Sequence, residues 1–379
     1  MHENNLLLNL LRCGLWEEDV NLPLFASGKV NWPGIFELAQ KQAVTGVVFD
    51  ALKHIPAELQ PPRALYLQWC GLVAKIENRN ELMNKVIGAL NETLRGYEIS
   101  PVLLKGQGVA RYYRNPLRRI CGDIDIYVSP EEFDRAQLCL RDSGAELLAY
   151  QEEKHAEYRF GGEALELHHV MNRFKNPWVD VRFRKEVARI CAEDVPWVNI
   201  GGHRVRVLPA EFELCYLLAH IQHHLLWEGI GLRQLCDWAL LVSKQGSRHD
   251  TELHEAFDGV RIERYLRLFG LERIYGAVAF IAVRDLGLLE GCLPLPLGPR
   301  DRKNAARIWE VVWEGGNFGH FHPDSLRPSR KGIWGRLDNF LRVCRSCIRL
   351  FYLSPGEAAW VPLGKGWYFM RRNLHFLIL

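Results

Sequence analysis

The chain has 379 residues, 48% of them hydrophobic and 25% charged, so it can bury a sizeable core, and its length suggests two or three domains. A net charge of +3 neither demands nor excludes nucleic acid. No apolar run reaches transmembrane length, the closing Phe376-Leu377-Ile378-Leu379 included, and ten singly spread cysteines behind a polar start, Met1-His2-Glu3-Asn4-Asn5, predict reduced thiols and a cytoplasmic protein.

Residues 1–98 read as a helical region, with helices over 5–11, 32–42, 44–53 and 64–95 expected to pack on a sheet. Within the last of these, Asn91-Glu92-Thr93 spells a glycosylation acceptor, although nothing indicates secretion. Residues 99–208 change character to short β runs, glycine turns and one helix. Pro101-Val102-Leu103-Leu104-Lys105-Gly106-Gln107-Gly108 predicts a buried strand that breaks at glycine and opens a helix over 109–114. Such a turn lets backbone N–H groups approach an anion, and Lys105 brings a full charge to the same spot. A snorkelling surface lysine is the plainer alternative.

Gly122-Asp123-Ile124-Asp125-Ile126-Tyr127-Val128 then sets two carboxylates one residue apart in a β-branched run. On a strand both leave the same face, about 5 to 7 Å apart. Buried acids that close repel unless a cation sits between them, which reads as a seat for Mg²⁺ or Mn²⁺ and points to phosphate chemistry. The bland alternative is a pair of solvated edge-strand charges. Ser129-Pro130-Glu131-Glu132 spells a capping box for a helix that Gly144 ends. Strands follow at 146–150, 156–160 and 165–169, the last two joined by Gly161-Gly162, and a hairpin at 197–200 and 204–208 closes on Gly201-Gly202. In Ala164-Leu165-Glu166-Leu167-His168 the alternation lets Glu166 face the Asp pair as a third carboxylate, with His168 on the same strand face.

From residue 209 helices return, over 210–227, 232–244, 263–285, 304–314 and 331–353, and suggest a bundle. His220 and His224 share a helix face, as cleft lining, a satisfied core pair or a metal pair. Arg233 and Asp237 are spaced as an i,i+4 pair. Arg119 can reach phosphate or pair with an acid, and Arg118 competes for that role. Trp178, Trp197, Trp227 and Trp238 either line an acceptor cleft or sit in the core. Cys344-Arg345-Ser346-Cys347 lacks a second pair to complete a zinc site and reads as one helix face. Arg327, Arg330, Lys331, Arg336, Arg342, Arg345 and Arg349 face only Asp338, as a solvated face or a seat for an anionic partner.

Lys105-Gly106, Arg119, Gly122-Asp123-Ile124-Asp125, Glu166-Leu167-His168, and a helix with His220 and His223-His224 before Gly231-Leu232-Arg233-Gln234-Leu235-Cys236-Asp237 together resemble the uncharacterised nucleotidyltransferase family of the polymerase-β-type superfamily. The resemblance is strongest over 101–240, and Glu166 departs from the Asp often found in relatives. It implies an α+β fold: a small mixed-sheet nucleotidyltransferase core over 99–208, flanked by the helices of 1–98 and a helical domain over 209–379. It implies metal binding and catalysis by Asp123, Asp125 and Glu166. Contact with an NTP would come from Lys105, Gly106, Arg119, His168, Arg233 and Asp237. The expected reaction moves an NMP to a hydroxyl of an acceptor and releases pyrophosphate. Relatives modify aminoglycosides, proteins, peptides and RNA ends. Mild charge and the absence of an RNA-stacking motif favour a small molecule or polypeptide here. Two other classes stay open: a metal-dependent phosphohydrolase on His220, His223, His224, Asp237 and His249-Asp250, and a non-catalytic nucleotide-binding module.

Overall fold

The computed structural model describes residues 2–26, 30–151, 154–193, 195–246, 257–322 and 332–374. Its strands are β1 (Val102–Leu104), β2 (Ile124–Tyr127), β3 (Glu146–Gln151), β4 (His155–Phe160), β5 (Glu163–His168), β6 (Trp197–Ile200) and β7 (His203–Val207). They form one mixed sheet in the order β3-β4-β5-β2-β1-β7-β6, among many helices, which is the α+β class expected. β2 runs antiparallel to β1 and parallel to β5, so the Asp-x-Asp strand is central and not an edge. The hairpins β4–β5 and β6–β7 each close on a Gly-Gly pair with positive φ at both residues, the backbone that a two-residue turn needs.

Strand alternation sorts the side chains into two cores. Leu103, Ile124, Ile126, Leu165 and Leu167 point to one face, where they pack on Met83, Ile87 and Leu90 of the helix Arg63–Arg95 and on Ala136 and Leu140 of Phe133–Asp142. Val102, Leu104 and Tyr127 point the other way into a larger core, shared by the N-terminal helices and those after residue 209. The helix Arg63–Arg95 serves both, because Trp69 and Val73 in its first half belong to the larger core. At 33 residues it spans about 50 Å.

Several expectations change. The helix expected over 263–285 is two, Gly259–Phe269 and Glu272–Arg284, because Gly270 takes the left-handed conformation and ends the first. The helix expected over 109–114 is instead Gly106–Ala110, starting at the glycine turn itself. Ser129 donates to the Glu132 carboxylate from Oγ at 2.9 Å, but the helix begins only at Phe133, so this contact closes a preceding turn. Helices Pro177–Ala192 and Pro355–Leu374 were not anticipated; the first carries a readable signal, Asn176 capping Trp178 N at 3.2 Å with Pro177 in the first turn. The four tryptophans do not gather. Trp238 is core, Trp178 is exposed edge-on to Trp360, Trp227 stacks on His223, and Trp197 lies under Arg95 and Arg204. Asn91 is buried and donates to Arg204 O at 3.0 Å. All ten cysteines are free, and Cys347 faces the core. Of the basic stretch, Arg327, Arg330 and Lys331 lie outside the described residues, while Arg349 pairs with Glu310 and Glu314. Among the described residues no helix is long and apolar enough to cross a membrane.

Candidate active site

The strand register builds the site. Asp125 pairs with Glu166 across β2 and β5, and Tyr127 pairs with His168, so Asp125, Glu166 and His168 leave one face of the sheet, with Asp123 just before β2. One carboxylate oxygen from each of Asp123, Asp125 and Glu166 lies within 4.8 Å of the others. The three acids converge as the alternation predicts. Asp125 is buried, and its Oδ1 takes Lys105 Nζ at 3.2 Å and His168 Nε2 at 2.9 Å. Glu166 Oε2 lies 3.1 Å from the same His168 nitrogen.

Charge partitions unevenly among these acids. Repulsion from Asp125, with burial, raises the Asp123 carboxyl from 3.8 to about 6. Burial pushes Asp125 up too, but Lys105 and His168 outweigh it and hold that carboxyl well below the usual range. Burial likewise opposes ionisation of Glu166, and the His168 hydrogen bond overcomes it. Lys105 is buried, which works against its charge, yet Asp125 keeps the ammonium above its ordinary value. The triad therefore carries more negative charge than Lys105 alone can balance. A donor set of carboxylate oxygens with this surplus fits a hard divalent cation.

Lys105 is positioned by strain. It sits at φ 47° between β1 and the helix Gly106–Ala110, a conformation costing about 1–3 kcal/mol for a side-chain-bearing residue, and Gly106 follows at φ 44°. Asn80 holds the neighbouring loop, its Nδ2 donating to Leu117 O at 2.6 Å and Arg119 O at 2.7 Å while its Oδ1 accepts from Gln107 Nε2 at 2.8 Å.

Two helices cover the acidic floor. Ala210–Trp227 presents Leu217, His220, Ile221 and His224 at helical spacing, and Leu232–Gly246 presents Arg233, Gln234 and Asp237. With Lys105, Lys154, Arg119 and Phe318 they line a cleft over the three acids. Burial keeps His220 and His223 well below the ordinary imidazole value, and His224 Nδ1 is 2.9 Å from Glu228 Oε2. His220 and His224 thus line the cleft, while His223 stacks on Trp227. Among the described residues, neither cluster able to share an ion includes His220, His223, His224 or Asp237, and His249-Asp250 lies outside the described residues.

The i,i+4 pairing of Arg233 with Asp237 does not form. Asp237 instead takes both arms of Arg119 at 2.7 Å, plus the Tyr113 hydroxyl at 2.7 Å. Arg233 donates to Ile120 O at 2.8 Å and lies over the Phe318 ring, its buried Nε without a partner. Burial, and then Arg119, lower its pKa from 12.5. Arg118 leaves the competition by pairing with Asp50 and Glu77.

Sequence reasoning missed Lys154 and His155. Lys154 enters the cleft from the β3–β4 turn, and burial followed by Lys105 lowers its pKa from 10.5. His155 faces His168 across β4 and β5, so strand alternation on β4 was the signal that would have found it.

No curated protein matches the chain. A family model described as an uncharacterised nucleotidyltransferase matches residues 28–285, which takes in the sheet, the three acids and both covering helices. The chain therefore belongs to this nucleotidyltransferase family, as its Lys-Gly, Asp-x-Asp and Glu-x-His segments suggest.

Proposed function

We propose that this protein moves a nucleotidyl group from an NTP to a hydroxyl of an acceptor and releases pyrophosphate, with a divalent cation held by Asp123, Asp125 and Glu166. The observation that carries the reading is the convergence of these carboxylates on adjacent strands beneath a cleft lined by Lys105, Lys154 and Arg233. An acidic floor suits a cation, and a basic lining suits the triphosphate that the cation accompanies.

When bound, Mg²⁺ or Mn²⁺ would supply Lewis-acid polarisation of the phosphate and lower the pKa of the attacking hydroxyl. The remaining work falls to the chain. Lys105 and the Gly106 turn meet phosphate charge, and Arg233, whose Nε has no partner, offers a further donor. Arg119 is held by Asp237, which makes Asp237 a positioning residue. The acceptor hydroxyl attacks the α-phosphorus, the bond to the β-phosphate oxygen breaks, and the hydroxyl proton passes to Glu166, the more exposed partner of Asp125. His168, between Asp125 and Glu166, orients both carboxylates.

The test is a screen of the four labelled NTPs with cell extract and Mg²⁺ or Mn²⁺. Label should pass to an acceptor with wild type, and not with Asp123→Asn or in EDTA. Transfer that persists in Asp123→Asn would refute the assignment. The size class of the labelled product separates a small-molecule acceptor from a polypeptide.

A further inference from the structure

His155 on β4 is paired with His168 on β5, so both rings occupy the sheet face that carries Asp125 and Glu166. The two rings meet edge-on, their centroids 4.9 Å apart. His155 Nε2 lies 3.2 Å from Glu157 Oε1. A carboxylate only accepts, so Nε2 carries the proton, and the neutral ring presents Nδ1 as a bare lone pair. That Nδ1 is buried without a hydrogen-bond partner, and it stands 3.8 Å from Glu166 Oε2, another acceptor. Two acceptors thus face each other with no hydrogen between them. His168 Nε2 completes the group, 3.1 Å from the same Glu166 oxygen; in the ion-free site its hydrogen goes to Asp125 Oδ1 at 2.9 Å, and that is the proton an ion would displace. Ligand atoms on one divalent ion at about 2.1 Å stand roughly 3.0–3.4 Å apart, so the 3.1 Å pair already fits and the 3.8 Å pair has only a few tenths of an ångström to close.

We propose that His155, Glu166 and His168 form a second cation site, beside the Asp123 and Asp125 pair, for a nitrogen-accepting divalent ion such as Zn²⁺ or Co²⁺. Two imidazoles and one carboxylate suit a borderline transition ion, whereas Mg²⁺ demands an oxygen shell. Glu157 supports the site from behind His155 as an outer carboxylate, itself held by Gln151 Nε2 at 3.2 Å. The site shares Glu166 with the proposed catalytic centre but rests on ligand chemistry alone, independent of nucleotidyl transfer.

The experiment titrates the metal-free full-length protein with Co²⁺, followed by visible absorption, and with Mg²⁺, followed by calorimetry. Wild type should show the intense bands of nitrogen-ligated Co²⁺ in fewer than six positions. His155→Gln should weaken Co²⁺ binding roughly 10-fold or more, while Asp123→Asn leaves it within about twofold. For Mg²⁺ the sensitivities should reverse. A wild-type spectrum of six oxygen ligands overturns the proposal without any variant, and so does unchanged Co²⁺ affinity in folded His155→Gln. Absence of nucleotide transfer from a protein that binds Co²⁺ as expected would instead count against the proposed reaction alone.

Discussion

Asp123→Asn should stabilise the metal-free protein. In the folded state the Asp123 carboxyl is raised from 3.8 to about 6 by Asp125 and burial, so ionising it costs folding free energy. A shift of about two pH units at 1.36 kcal/mol each sets a ceiling near 3 kcal/mol, and partial exposure reduces this to about 1–3 kcal/mol. Because the folded-state value is raised, the native chain holds the extra proton at low pH. This contribution is therefore present below about pH 4 and lost as pH rises through about 6. Thermal unfolding at pH 7.5 in EDTA should place Asp123→Asn roughly 2–6 °C above wild type, taking about 2 °C per kcal/mol for a long chain. At pH 4 that gap should close. Adding Mg²⁺ at 100 times its Kd should return about 2.7 kcal/mol to wild type and little to the variant, closing or inverting the difference. A variant that melts below wild type in EDTA, or gains equally from Mg²⁺, refutes the electrostatic reasoning.

Lys105→Ala removes the ammonium beside Asp125 and should weaken NTP affinity about 10-fold or more in a titration calorimeter, an unchanged Kd removing lysine from the phosphate site. Asp237→Asn leaves the buried Arg119 and Arg233 guanidiniums with no carboxylate between them. It should cost about 3–5 kcal/mol in denaturant unfolding, and a loss under 1 kcal/mol would mean the pair relaxes freely. His220 and His223 stay neutral when folded but accept protons when unfolded. Stability should therefore fall as pH drops below about 6.5, by up to about 1.4 kcal/mol per pH unit for each ring. The double His220→Gln, His223→Gln variant should flatten that slope between pH 6.5 and 5, and parallel slopes would sink the attribution.

What could be read ahead of the structure was whatever depends on chain period. The placement of Asp125 and Glu166 on one sheet face follows from side-chain alternation, and the Gly-Gly hairpins follow from backbone sterics. Partner choice between distant segments was hidden. Arg233 and Asp237 are neighbours on one helix, yet Asp237 is claimed by Arg119 and Tyr113, more than a hundred residues upstream. Their spacing permits a pair but says nothing about a stronger bidentate competitor. His155 escaped because the strand was read as beginning at 156, one residue late, and Lys154 because it stands in the turn just before that strand. The break at Gly270 escaped because apolar spacing continues across it, and only backbone conformation ends the helix.

Gln42, at the end of the helix Trp32–Lys41, is fully buried, and its side chain donates to Val312 O at 2.9 Å and accepts from Leu232 N at 3.0 Å. Leu232 opens the helix that carries Arg233 and Asp237, so a residue near the start of the chain supplies the missing cap of a helix almost two hundred positions later. Gln42, at the end of its helix, is thus a clamp on the roof of the cleft. A fragment trimmed to the sheet and its two covering helices would keep every acidic side chain and still let its guanidinium groups drift.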